Sequence, residues 1–474
     1  MAVTINGALC CGQLAMSLMQ TFFMFYYVKI FLNIYKIDQF WFGVAQMLFA
    51  IWNAINDPLF GYAQDVSNTW FHCRTKVIAI LGPCLAISFL ILWFPWNKMD
   101  GSSSSYVAGC HLIFGLFFYD AFYSCINVAW SALFAETTCS KSERVSALKF
   151  SQFAILLSVI IVPVTEKLTN GLNDFWIFQY ISIVIAVLAV LCFKVTGSLN
   201  YHKKGICEDS SSATLQQDEF KENFLHAFKI TKQILTRRDF LIITVTYFLQ
   251  TCSFLIRNGI MIISRSAAHL NFAAIATEIL IPEQVMVKGS WKITFFYAAC
   301  TLTPQLLVIL SGKIIVRIGA TSIILKSFVT SIIASAFLLI FGHNHSYLII
   351  LFMFFDSILV HSIAPLYQVL LADYIDEDLI YYSRQKPIST IIYSLAAVLI
   401  RPAQSIAPFI IVVILNHCGY KEYQTSNLAS LELIDGMFYI VCSTTLVISA
   451  VQFLIFYSFA LRCAVKNPKS DTFI

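Results

Sequence analysis

The polar residues with the greatest chemical potential lie at the end of a long apolar run. Residues 52–65 include Trp52, Asn53, Asn56, Asp57, Pro58, Gly61 and Asp65. On a helix, Asn53, Asn56 and Asp57 fall at i, i+3 and i+4 and share one face. Pro58 has no N–H for the carbonyl of Ala54, so an acceptor is left over on the same segment. A carboxylate at the centre of a bilayer costs about 2.5–3.5 kcal/mol on insertion scales, and it is placed where it meets a cavity or a partner. Two roles are open to such a face. It can hold helices together as a buried polar knot, or it can bind a solute and a coupling ion.

Other polar residues recur inside apolar runs. Asp120, Ser124, Asn127 and Ser131 are spaced four, three and four apart, one stripe of a helix. A polar stripe at membrane depth should line a cavity rather than face acyl chains. Tyr247, Gln250, Arg257 and Asn258 make a looser stripe, and Asp356 and His361 precede Pro365. Arg401 is followed by Pro402 and Pro408, which predicts a bent or broken helix. Arginine stays charged, so a buried one needs a carboxylate within reach. Arg401 is therefore expected to pair with Asp57 or Asp120. Lys326 is close enough to a helix end to snorkel, and His111 and His361 are expected to be packing histidines.

These residues need long helices to place them. The chain has 474 residues, 58% of them hydrophobic and only 12% charged, with a mean hydropathy of +0.75. Soluble domains carry about 25% charged residues, so this is a membrane protein. Runs of about 20 apolar residues recur throughout and predict twelve spans. They lie near 7–32, 40–64, 77–96, 106–132, 147–165, 175–195, 240–264, 291–314, 321–341, 347–371, 388–415 and 433–461. A polar stretch near 196–238 separates six from six. The expected division is an N-terminal half over 1–196, a linker loop over 197–238 and a C-terminal half over 239–474. Gly61-x-x-x-Asp65 with Arg74 and Lys76 closes the second span, and Gly312-Lys313 with Arg317 and Gly319 closes the eighth. In both places a glycine permits close packing and charges can tie helix ends; ordinary positive-inside loop charge is the other reading.

The basic residues are biased to one side if both termini are cytoplasmic, as the positive-inside rule requires. The net charge of +5 belongs to those loops and not to nucleic-acid binding. The fourteen cysteines sit mostly in apolar runs without zinc-ligand spacing, as small buried hydrophobes do. The first span lacks a basic n-region and a cleavage site, and is expected to be retained. Residues 265–288 are expected to hold a short interfacial helix. Asn344-His345-Ser346 is a glycosylation sequon. No nucleophile–base or metal-ligand cluster points to an enzyme.

Ile51-Trp52-Asn53-Ala54-Ile55-Asn56-Asp57-Pro58 with Gly61 and Asp65 resembles the second-helix signature of the glycoside–pentoside–hexuronide:cation symporters. These form the melibiose-permease-like branch of the major facilitator superfamily. Leu371–Asp378 resembles the acidic turn after the tenth helix, and Val398–Ser405 part of the eleventh. The resemblance implies an all-α integral membrane protein of twelve transmembrane helices in two six-helix halves. It implies a secondary active transporter of a small, sugar-like solute, working by alternating access and coupled to H+ or Na+, with no other cofactor.

By the same resemblance Asp57 keeps one acid of the cation site, while Asn53 stands at the other acid's position and Asn56 matches an amide ligand. Arg401 stands at a lysine position, Asn127 at or near the fourth-helix acid, and Gln13 near the first-helix sugar-binding acid. Three family carboxylates are thus amides here, a weaker set for sodium, although Asp57 can still use a proton. The alternatives are a lysolipid or other amphiphile symporter, and a non-transporting receptor or scaffold of the same fold. The partners expected are a small-molecule substrate and the lipid bilayer, with no nucleic acid. A monomer in the plasma membrane is the default expectation.

Overall fold

The computed structural model describes residues 4–66, 70–96, 105–169, 172–199, 229–251, 253–255, 261–263, 279–282, 285, 291–342, 345–384, 386–400 and 430–466. They form two compact units. The first comprises 1–234 with 375–398, and the second 235–374 with 399–474. Among the described residues, eight helices are long and apolar enough to cross a membrane, or nine if one bent pair is a single span.

The first unit is built from α1 (Ile5–Lys29), α2 (Gln39–Val66), α3 (Arg74–Trp93), α4 (Ser105–Thr137), α5 (Lys141–Val159), α6 (Ile161–Leu168) and α7 (Phe175–Gly197). Sequence signals set several ends. Thr4 caps α1 by accepting from the Gly7 N–H, and Ser140 and Glu143 form a reciprocal capping box on α5. The fifth expected span is two helices, α5 and α6, that meet at Ile160. Pro163 sits in the first turn of α6, where its missing N–H costs nothing.

The core of this unit is aromatic. Trp93 is fully buried, with ring centroids 5.6, 5.5 and 5.4 Å from Phe22, Phe89 and Phe178. Helix α1 reaches its neighbours through Gly12, where a Cβ would sit 2.8 Å from the Trp130 ring and 3.1 Å from the Thr196 hydroxyl. The same approach lets Trp130 Nε1 donate to the Leu9 carbonyl at 3.1 Å, and Thr196 Oγ1 to Ala8 at 2.8 Å. His111 packs as expected, its Nε2 donating to the Ile91 carbonyl at 2.7 Å.

The second unit holds α8 (Arg238–Thr251), α9 (Trp291–Leu310), α10 (Gly312–Ile318), α11 (Ala320–Phe341), most of α12 (Ser346–Tyr381) and α14 (Leu431–Lys466). The last residues of α12 and most of α13 (Ser389–Ile400) belong to the first unit. The core of the second unit gathers Phe296, Cys300, Leu338, Phe352, Met437 and Phe438. Beside it runs a seam of amides. Gln452 Nε2 donates to Gln250 Oε1 at 2.9 Å and to the Thr246 carbonyl at 3.1 Å, and Gln250 Nε2 donates to the Val360 carbonyl at 3.2 Å.

Two expected spans are corrected here. The seventh is helical only to Thr251, and Ser253–Leu255 then pairs antiparallel with Met261–Ile263. A two-stranded ladder leaves its outer backbone groups unpaired, so at membrane depth such a segment belongs where protein or a water-filled cavity covers it. The eighth breaks after Leu310, and α10 leaves it at 62°. The tenth is longer than expected and runs to Tyr381. Most of the linker, most of residues 265–288, the sequon residue Asn344, and Arg257, Asn258, Pro402 and Pro408 lie outside the described residues.

Trp93→Ala removes the ring that three others pack on. It should cost about 3–5 kcal/mol and lower the unfolding temperature of the purified protein by several degrees. A thiol-reactive dye melt in detergent reads this directly, and an unmoved melt would show that the cluster is not the core of this unit.

Candidate functional site

Asp57 and Asn56 are both fully buried on α2, and Asp120 and Ser124 are buried one turn apart on α4. The two helices pack side by side, so the pairs meet. The Asn56 Nδ2 amide donates to Asp120, and the Ser124 hydroxyl donates to Asp57. Asn56 Oδ1 is buried and has no donor among the described residues. Two carboxylates, an amide oxygen and a hydroxyl therefore gather in one place, and the two donors just named are neutral. Such an oxygen-rich set suits a proton or a small monovalent cation; among the described residues no three His, Cys, Asp or Glu side chains group into a metal site.

The expected α4 stripe divides. Its first two members face α2 and are sealed there, while Asn127 and Ser131 remain half-buried, as does Asn53 on α2. Asp120, seven residues before Asn127, is the acid that meets Asn56. Gln13 donates to Ser17 at 2.8 Å along α1, and one turn on, Gln20 accepts from the Tyr119 hydroxyl at 3.1 Å. Tyr119 also stacks in a run of rings, 4.6 Å from Phe23 and 5.9 Å from Tyr123. Arg401 and its expected pairing lie outside the described residues.

The loop motif that closes the second span, Gly61-x-x-x-Asp65 with Arg74, which Gly312-Lys313 with Arg317 repeats at the eighth, is a buried charge cluster. Arg74, with no exposed side-chain surface, pairs with Asp65 and lies 3.4 Å from Glu136. Its Nη1 also donates to the Gln64 carbonyl at 2.9 Å. Asp65 accepts the Ile391 N–H at 2.9 Å, in the first turn of α13, where helix dipole and unpaired N–H groups both favour an anion. Gly61 accepts from Thr390 Oγ1 at 2.9 Å, and a Cβ on Gly61 would press on Ser394 and lie 2.9 Å from the Thr390 carbonyl.

Nearby, Arg144 pairs with Asp376, and Arg384 pairs with Asp378 at 2.7 Å. The part played by Glu136, Arg144 and Thr390 was missed in the sequence, because each is one ordinary polar residue whose partner is distant along the chain. In the second copy Gly312 is buried but Arg317 is exposed.

The family described as MFS/sugar transport protein matches residues 8–262. The chain belongs to that family. Two relatives are Transmembrane protein 180 of Gallus gallus, 24% identical over 95% of this chain and 91% of that one, and Transmembrane protein 180 of Mus musculus, 23% identical over 84% and 78%. Among solved structures, a bacterial homologue of the iron transporter ferroportin in an outward-facing state with soaked iron superposes with a TM-score of 0.62. The two are 11% identical, over 96% of this chain and 99% of that one. A proton:xylose symporter bound to 6-bromo-6-deoxy-D-glucose superposes with a TM-score of 0.57 at 12% identity, over 96% and 95%. The fold is thus that of the major facilitator superfamily, and the chain is a multi-pass membrane transporter rather than an enzyme.

Arg74→Ala strands Asp65 and Glu136 as buried carboxylates and should cost about 3–5 kcal/mol. Arg74→Lys should recover part of that loss, since it restores the charge without the two-pronged geometry. Melts of the three proteins in one detergent order them, and an alanine variant as stable as the parent would remove the cluster's structural role.

Proposed function

We propose that the protein is a proton- or sodium-coupled symporter of a small neutral polar solute, sugar-like in chemistry. The observation that carries this reading is the Asn56–Asp120 and Asp57–Ser124 cluster, buried between two helices of a transporter family. A proton or monovalent cation bound there adds positive charge beside the two acids, and its arrival or release changes what α2 and α4 can hold between them. The half-buried Gln13, Gln20 and Asn127 supply donors and acceptors, and the half-buried Tyr123, backed by the packed rings of Tyr119 and Phe23, supplies a face of the kind that stacks on sugar rings. The family description and the sugar analogue bound to the proton:xylose symporter agree with that solute class.

The contacts of Gly61, Asp65 and Arg144 with residues 376–391 form the latch that the cycle makes and breaks. Both termini are placed in the cytoplasm, where the basic loops would then lie.

Purified protein in liposomes, screened against neutral sugars and polyols under imposed pH and sodium gradients, tests the reading. Gradient-driven uptake is expected, and Asp57→Asn or Asp120→Asn should lower it by about tenfold or more. Uptake of no solute under either gradient would favour a receptor or scaffold, and uptake of lysolipid alone would favour an amphiphile carrier. Reversing one latch charge with Arg144→Asp should impair transport, and Asp376→Arg in the same chain should restore it. A double variant as weak as the single one would rule the pair out as a latch.

A further inference from the structure

The second copy of the loop motif differs from the first in one decisive way. Four residues past Gly61 stands Asp65, which holds Arg74 buried; four residues past Gly312 stands Val316. No Asp or Glu occurs anywhere in residues 284–355, a stretch that carries Lys288, Lys292, Lys313, Arg317 and Lys326. Lys313 and Arg317, at i and i+4 on α10, share one face of the helix and are exposed. Neither makes an ion pair among the described residues.

The helix that presents them lies at an angle to the span. It leaves α9 at 62°, and Gly319, with φ at 91°, turns the chain into α11. Gly312 and Ile315 form its buried side. Beside the two cations, Leu310 and Ile314 are 81% and 55% exposed. A basic face bordered by uncovered leucine and isoleucine at the end of a membrane span fits the boundary between headgroups and acyl chains. Lys326 is exposed six residues into α11, about 9 Å along it, and can reach back to the same level.

We propose that α10 binds the headgroup of an anionic phospholipid, with Lys313 and Arg317 on the phosphate and Leu310 and Ile314 against the chains. Arginine offers the phosphate a two-pronged donor and lysine a point charge. The site rests on the membrane-spanning fold and is independent of the coupled-transport reading.

The test titrates the purified full-length protein in detergent with dioctanoyl phosphatidylserine and, separately, dioctanoyl phosphatidylcholine, counting bound lipid by native mass spectrometry. Phosphatidylserine should bind at lower concentration. Each cation removed should weaken it about fivefold, so Lys313→Gln loses about fivefold and the Lys313→Gln, Arg317→Gln protein about 25-fold, with phosphatidylcholine unmoved. Both residues are exposed, so the variants should keep the parent's melting temperature. Equal binding of the two lipids overturns the proposal, as does a double variant that binds phosphatidylserine like the parent. Displacement of the lipid by an equal concentration of glycerophosphate assigns the cations to a soluble phosphate and overturns it as well. So does a loss from Lys141→Gln, on the other unit, as large as that from Lys313→Gln.

Discussion

Burial takes a polar group away from water, so a charge enclosed by the protein must find its partner there. Much of the first unit follows from this. Arg74 cannot be neutralised, and it is held between Asp65, Glu136 and the Gln64 carbonyl. Asp65 then turns its second oxygen to the first turn of α13. One buried guanidinium thus fixes the ends of α2, α3 and α4, and the carboxylate it holds in place meets a helix contributed by the far end of the sequence. Gly61 makes this possible, because only a residue without a Cβ lets α2 come so close to Thr390 and Ser394.

The Asn56–Asp120 and Asp57–Ser124 cluster obeys the same constraint with a different outcome. Asp120 accepts from the Asn56 amide and Asp57 from the Ser124 hydroxyl. A guanidinium keeps its charge, whereas a carboxyl group can exist with or without a proton. The two clusters lie about two turns apart on α2, judged from residues 57 and 65. A single helix therefore carries both the carboxylate bound by Arg74 and the residues that meet α4.

Periodicity made the helices legible, and the i, i+3, i+4 spacing of Asn53, Asn56 and Asp57 made their shared segment legible. The breaks were harder. Ile160 carries no punctuation of its own, and the bend after Leu310 falls at Ser311 and Gly312, where a glycine marks a weak point in a helix without fixing an angle. The α4 stripe was visible as four residues on one face, but its division was not. Which of Asp120 and Asn127 meets α2 depends on where two helices cross, a tertiary fact that spacing along one helix does not hold. The same applies to Arg144 and Asp376, 232 residues apart. Ion pairs of that kind leave only two unremarkable side chains in the sequence.

The amide seam of the second unit joins Gln452, Gln250, Thr246 and Val360 without a single formal charge. A transmembrane voltage does no work on such a link, and acidification cannot titrate it. The three helices it ties, α8, α12 and α14, are therefore fastened there by a joint that is indifferent to the electrical state of the membrane.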